Sequence, residues 1–262
     1  MIKPLDPTEG TIDRPSRARS AWRDAASLRQ RRWPGPPPIP PRDGMGKEAF
    51  VASLLRSMAG SEQREQPYRH WLLRACLPGA AADRILSLPF PAQSLGGVSG
   101  RRELHNGTRT YFDPESRSRF PVCQAFCEAF QDPRVTTRIA AHFGATLAGC
   151  FLRVELARDT DGFWLEPHTD LGVKSFTMLI YLSKDPQHAS LGTDLYNADR
   201  SHAGRSPFEP NGALIFVPSD TTYHGFEPRR IEGVRKSVIV NYVTAEWRAR
   251  DQLAFPEQPV AA

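Results

Sequence analysis

A histidine and an aspartate two positions apart, His168 and Asp170, are the residues whose types and spacing most clearly suggest chemistry. Residues two apart on an extended backbone point to the same face. A second histidine, His224, lies further along the chain. Two imidazoles and one carboxylate can hold a divalent metal ion and leave part of its octahedron open. The three residues together therefore predict a metal site.

Each of these residues has an ordinary structural explanation when it is taken alone. A His-x-Asp triplet occurs by chance in many proteins, and a lone histidine such as His224 is more often a hydrogen-bonded core residue. An unpaired histidine and aspartate are costly to bury at the mouth of a sheet, however, and a bound cation removes that cost. His224 also follows an apolar segment and a turn-rich stretch, so a hairpin would return it toward His168. The joint pattern favours the metal site.

The elements that must position these residues change character near Gly144. Before it, apolar residues recur with helical spacing, and helices are predicted from Lys47 onward, at 120–130 and at 134–143. Residues 68–77 are predicted as a short helix or turn, and 114–120 as a loop. After Gly144, short apolar segments separated by Gly, Pro, Asn and Asp predict strands at 150–156, 176–182, 193–196, 213–217, 222–226 and 237–242. We therefore expect an α+β fold, a helical N-terminal half packed against an antiparallel jelly roll.

Composition and charge restrict the classes of protein that fit. The chain has 262 residues, a net charge of +5 and four cysteines without a Cys-x-x-Cys pair. No secretory signal or membrane-length apolar run is present, so a reduced, cytoplasmic protein is expected. No nucleic-acid motif accompanies the N-terminal arginines. The predicted organisation is a Pro/Arg-rich, disordered arm at 1–44, a mainly helical region at 45–148, a jelly-roll core at 149–245 and a tail at 246–262.

Beyond the triad, the chain resembles the Fe(II)/2-oxoglutarate-dependent dioxygenases, specifically their prolyl-4-hydroxylase-like branch. The resemblance covers the last third to two-fifths of the chain, with the motif order and spacing preserved. The matching segments are EPHTD at 166–170, FTMLIYLS at 176–183, LGTDLY at 191–196, NGALIFVP at 211–218, HG at 224–225 and RKS at 235–237.

The resemblance implies roles for individual residues. His168, Asp170 and His224 would bind the iron. Arg235 would form a salt bridge with the distal carboxylate of 2-oxoglutarate, since a guanidinium matches a carboxylate bidentately. Further contacts with this cosubstrate would come from Tyr181, Ser237 and Thr177, each of which has an ordinary strand role as its alternative. The implied fold is a double-stranded β-helix, and the implied cofactors are Fe(II), 2-oxoglutarate and O2.

The sequence departs from the family pattern just before the His-x-Asp triplet. A tyrosine common in prolyl-hydroxylase-like proteins is missing from residues 156–165, which weakens any inference of a prolyl peptide substrate. Asp170 disfavours a halogenase, because it leaves no coordination position vacant for chloride. The favoured reaction is hydroxylation of a C–H bond in a small-molecule or sugar-type substrate, with release of succinate and CO2. Candidate substrate contacts are Asn106, Arg109 and Trp164, with Tyr111, Arg153, Glu166 and Lys174 nearby.

Two alternatives remain open at this point. One is a protein or peptide hydroxylase of the prolyl type, for which the basic, proline-rich arm would help a macromolecule to dock. The other is a non-catalytic jelly-roll binding module that keeps the metal site by descent. The sequence does not indicate the oligomeric state.

Overall fold

The computed structural model describes residues 44–90, 109–170 and 172–261. The predicted arm at 1–44 lies outside the described residues except for Gly44, and Asn106 lies outside them as well. Within the described ranges the chain forms helices α1 (Lys47–Ala59), α2 (Gly79–Leu86), α3 (Pro114–Arg119), α4 (Pro121–Gln131) and α5 (Pro133–Phe143).

The helices begin and end where their local chemistry requires it. Helices α3, α4 and α5 each begin with a proline, which costs no hydrogen bond there because the first N–H groups of a helix have no intrahelical partner. Asp132 caps α5 by accepting a hydrogen bond from the N–H of Arg134 at 3.0 Å. Gly144 ends α5 in the left-handed conformation. The helical predictions at 120–130 and 134–143 are confirmed to within a residue.

Two antiparallel sheets carry the remaining regular structure, so the fold is α+β as predicted. The larger sheet has the order β1-β2-β9-β6-β11-β4-β3, and the smaller has the order β5-β10-β7-β8. The strands are β1 (Glu62–Arg64), β2 (His70–Leu73), β3 (Thr110–Tyr111), β4 (Phe151–Asp159), β5 (Leu165–His168), β6 (Lys174–Tyr181), β7 (Asp194–Tyr196), β8 (His202–Arg205), β9 (Ala213–Phe216), β10 (His224–Phe226) and β11 (Arg235–Val243).

The larger sheet is buried on both faces, because a different layer covers each one. On β4, Leu152, Val154 and Leu156 belong to the hydrophobic core that the sheet forms with the helices. A second core lies between the two sheets and includes Leu179 and Phe226. Alternate residues of the long strands therefore face the gap between the sheets, where the candidate site lies.

Two local predictions were wrong. Residues 70–73, expected in a helix or turn, form β2, in which Trp71 pairs with Ile215 of β9 and is buried. This segment is too short for the periodicity of its own residues to set its secondary structure, so long-range pairing with β9 determines that it is a strand. Residues 114–119, expected in a loop, form α3, whose cap is Asp113 accepting from the N–H of Ser116 at 2.7 Å. The N-terminal half is therefore not purely helical, since it supplies three strands of the larger sheet.

The described residues contain neither a disulfide nor a membrane-length helix. Cys76, Cys123, Cys127 and Cys150 are free thiols and all are buried. Burial raises the pKa of Cys76 to about 12, so its thiol stays protonated at neutral pH. No helix in the described ranges is long and apolar enough to cross a membrane.

Candidate metal centre

Pairing of β5 with β10 brings the two histidines together. His168 ends β5, His224 begins β10, and the antiparallel register places their Cα atoms opposite each other. Asp170 follows β5 by two residues. Nε2 of His168 lies 3.9 Å from Oδ1 of Asp170, and Nε2 of His224 lies 3.8 Å from Oδ2. One ligand atom from each residue lies within 4.8 Å of the others, so the predicted triad converges.

Both imidazoles are oriented by the same local contact. Nδ1 of His168 lies 2.9 Å from the carbonyl oxygen of Glu166, and Nδ1 of His224 lies 3.1 Å from that of Thr222. A carbonyl only accepts hydrogen bonds, so each Nδ1 must carry the proton that it donates. In the neutral ring, each Nε2 then carries the lone pair and lies within 3.9 Å of Asp170. In this tautomer Nε2 is the nitrogen that can bind a metal.

Two further side chains hold the carboxylate of Asp170. Nζ of Lys174 donates to Oδ1 at 2.9 Å, and the hydroxyl of Thr177 donates to Oδ2 at 3.0 Å. Thr177 in turn accepts from Nδ2 of Asn241 at 3.0 Å. Thr177 was predicted to contact the cosubstrate, but here it orients a candidate metal ligand. Groups of this kind hold the ligands of a metal site in place.

Gly225 makes the close approach of β10 to β5 possible. A Cβ atom at this position would lie 2.6 Å from the carbonyl oxygen of Leu165. We expect Gly225→Ala to push the two strands apart and weaken Fe(II) binding by about 10- to 100-fold, the range found when groups that orient metal ligands are lost. Anaerobic Fe(II) titration measures this. Gly79→Ala is the control, because a Cβ there meets nothing within 4 Å; equal losses in both variants would contradict the argument.

Four rows of side chains cross strands of the larger sheet. Taken in order, the rows lead from the metal ligands to Arg235. They are set by the registers of β4 with β11 and of β11 with β6, and the side chains of each row face the gap between the sheets, mostly lining one cavity. The rows are Arg153, Asn241 and Thr177; Glu155, Ile239 and Leu179; Ala157, Ser237 and Tyr181; and Asp159 with Arg235.

The charges nearest the metal ligands are paired within the protein. Arg153 is buried and donates to Asn241, Tyr111 and Gln252 at 3.1, 3.1 and 3.0 Å. It also donates to Glu155 at 2.8 Å, and Glu155 accepts from Arg109 as well. Burial alone would raise the pKa of Glu155, but the two arginines outweigh it and lower that pKa to about 2. Glu155 is therefore ionised at neutral pH.

At the far end of the cavity, Arg235 is also paired. Its Nη1 donates to Oδ2 of Asp159 at 2.5 Å, and its Nε donates to the carbonyl oxygen of Leu191 at 2.8 Å. Ser237, one row away, is completely buried, and its hydroxyl has no hydrogen-bond partner within the described chain. Arg235 and Ser237 thus both line the cavity, together with Asp159, a carboxylate that the sequence interpretation had not included.

Of the other predicted contacts, Tyr181 and Trp164 do not line the cavity, whereas Arg109 does. The hydroxyl of Tyr181 is buried beside the hydroxyls of Thr193 and Ser206, at 2.9 and 2.6 Å, and is not part of the cavity wall. Arg109 does line the cavity. Trp164 does not, and its neighbour Phe163 does instead.

Among the cavity residues that the sequence interpretation missed, Glu155, Asp159 and Asn241 carry a carboxylate or an amide. The signal for the first two was present, because β4 reads FLRVELARD and places Arg153, Glu155 and Asp159 at a period of two within an apolar strand. Charged residues on one face of a buried strand indicate a polar cavity, since they are costly to bury without partners.

Comparisons with known proteins give similarity to solved structures only; no family model matches the chain, and no curated protein is significantly similar to it. A prolyl 4-hydroxylase from Phytophthora capsici is 15% identical over 80% of this chain and 68% of its own, with a TM-score of 0.49. A 2OG-Fe(II) oxygenase family protein from Burkholderia pseudomallei is 15% identical over 80% and 95%, with a TM-score of 0.46. A Trichoplax adhaerens prolyl hydroxylase, solved with a peptide of hypoxia inducible factor, is 14% identical over 78% and 93%, with a TM-score of 0.49.

Proposed function

We propose that the chain is an Fe(II)- and 2-oxoglutarate-dependent dioxygenase that hydroxylates a C–H bond of a small-molecule substrate. The observation that carries the proposal is the convergence of His168, Asp170 and His224, with Nε2 of each histidine within 3.9 Å of the carboxylate. Two neutral imidazoles and one carboxylate fit Fe(II) and leave three positions for other ligands. In this proposal residues 149–245 are the double-stranded β-helix core.

The same three ligand types also bind zinc in hydrolases, so the rest of the cavity must support the choice of iron. The cavity runs from the triad to the buried guanidinium of Arg235 and the unpartnered hydroxyl of Ser237. A cation and a hydroxyl at this depth suit the distal carboxylate of a 2-oxo acid that chelates the metal through its other end.

When bound, the iron, 2-oxoglutarate and O2 supply the oxidation of the substrate C–H bond, with succinate and CO2 as products. His168 and His224 hold the metal through Nε2, and Thr177 keeps Asp170 in place. Arg235 and Ser237 bind and orient the cosubstrate. The apolar residues between the sheets exclude water from the site.

For the substrate we propose a small polar molecule that contacts Arg109 near the triad. The spare donors of Arg109 support this, because its hydrogen bond to Glu155 uses only Nη1. Arg153 has an internal partner for each of its nitrogens, so it serves as a fixed wall. Peptide hydroxylation and a non-catalytic binding module are the alternatives, and the experiment below separates all three. Trp164 and Asn106 are supported as substrate contacts by the sequence interpretation alone.

The test is anaerobic addition of Fe(II) and 2-oxoglutarate to the full chain, followed by aerobic turnover. We expect a weak visible charge-transfer band that Asp170→Ala abolishes. We also expect substrate-dependent succinate release with at least one member of a panel of small polar metabolites. Release with proline-containing peptides alone would favour the peptide hydroxylase, and a band without release from either panel would favour the binding module. Absence of the band from the wild-type protein would refute the dioxygenase.

A further inference from the structure

Asp159 already neutralises the arginine that should receive the cosubstrate. The register of β11 with β4 pairs Arg235 directly with Asp159. Nη1 and Oδ2 lie 2.5 Å apart, and the two side chains are only 5% and 2% exposed. The attraction between two charges buried to this extent is strong, because little solvent screens it. A ligand at this end therefore meets a paired arginine, not a free one.

The unpartnered atoms around this pair indicate what kind of ligand end would fit. Oδ1 of Asp159 is buried without a hydrogen-bond partner in the described chain, as is the hydroxyl of Ser237. The hydrogen bonds of Arg235 within the same residues use Nε and Nη1, which leaves Nη2. One wall thus offers a cationic donor beside an anionic acceptor. A distal carboxylate satisfies the first and is repelled by the second.

Within the described ranges, the guanidinium groups that interact with this ion pair each have a carboxylate of their own. Arg109 is bonded to Glu155 through Nη1. Arg229 points to a different carboxylate, Asp194, at 2.5 Å. Bringing a distal carboxylate to Arg235 would place two carboxylates on one buried guanidinium, and like charges in a poorly screened site oppose each other.

We propose that Asp159 determines which 2-oxo acids the site accepts, an inference that rests on the dioxygenase function proposed above. By neutralising Arg235, Asp159 removes most of the advantage that a distal carboxylate would have. The site then binds a 2-oxo acid with an uncharged distal end almost as well as it binds 2-oxoglutarate. Asn at this position would retain an acceptor for Arg235 and remove the repulsion.

The experiment compares two oxo acids that chelate iron through the same atoms. The full-length Fe(II) protein is titrated anaerobically with 2-oxoglutarate and with 2-oxovalerate, which lacks the distal carboxylate, and the charge-transfer band gives a dissociation constant for each. In the wild-type protein we expect 2-oxovalerate to bind less than about 10-fold more weakly. In Asp159→Asn we expect this ratio to rise by roughly 10- to 100-fold, the value of a hydrogen bond to a charged group.

Asp132→Asn is the matched control, because it makes the same carboxylate-to-amide change at a buried aspartate that caps α5 and does not line the cavity. Its ratio should equal that of the wild type. A wild-type ratio above about 100, the full value of such a bond, would overturn the proposal without any variant. So would an unchanged ratio in folded Asp159→Asn, or an equal rise in Asp132→Asn. Absence of the band with both oxo acids would instead refute the dioxygenase function itself.

Discussion

Replacement of His168 or His224 by alanine is expected to abolish Fe(II) binding and, with it, succinate formation. Each change removes one of the three ligand atoms that converge within 4.8 Å. Loss of a group that merely orients a ligand costs about 10- to 100-fold in metal affinity, so loss of the ligand should exceed about 100-fold. Anaerobic Fe(II) titration and the metal content of the purified protein measure the effect.

A second cluster of similar composition provides the control. Asp194, His202 and Glu227 also place one ligand atom each within 4.8 Å of one another. Asp194 is already held by two guanidinium groups, with Arg205 at 2.7 Å and Arg229 at 2.5 Å. Both carboxylate oxygens of Asp194 are thus already paired with guanidinium groups, so His202→Ala should leave the iron content unchanged. Iron that is lost in His202→Ala and retained in His168→Ala would place the metal at the second cluster.

The sequence contained enough information to predict which three residues converge. His168 and Asp170 are close in the chain, so their proximity needs only an extended backbone. His224 follows an apolar strand and a turn, so a hairpin-like return was a short step from the sequence. The structure brings the two histidines together in another way, because β9 and β10 lie in different sheets and β10 pairs with β5. Local geometry and one strand pairing therefore define the triad.

The environment of Arg235 could not be predicted in the same way. Asp159 lies 76 positions earlier in the chain, and only the register of β4 with β11 brings the two together. A shift of one residue would turn Asp159 to the opposite face of the sheet. Long-range pairing is also the reason that β2 was predicted as a helix or turn. It likewise places Tyr181 beside Thr193 and Ser206. The pattern of side chains along a strand predicts which residues share a face of the sheet, whereas the register between strands determines which residues lie next to each other.

Arg153→Met should lower the free energy of unfolding by about 3–5 kcal/mol, the usual cost of breaking a buried ion pair from one side. Arg153 is 3% exposed and is bonded to Glu155, Asn241, Gln252 and Tyr111. Methionine fills much of the same volume but leaves the partner atoms without donors. Chemical denaturation of the wild type and the variant, followed by circular dichroism, measures the difference.

The exposed pair of Arg74 with Glu209 gives the control for this prediction. Their closest atoms lie 3.0 Å apart, but the side chains are 80% and 47% exposed, so Arg74→Met should change the free energy of unfolding by less than about 0.5 kcal/mol. Arg153→Met should in addition weaken Fe(II) binding, because Asn241, which it releases, also bonds Thr177. Equal changes in the free energy of unfolding of the two variants would contradict the cost assigned to breaking the buried ion pair. An unaltered iron affinity in Arg153→Met would show that stability and metal binding are uncoupled.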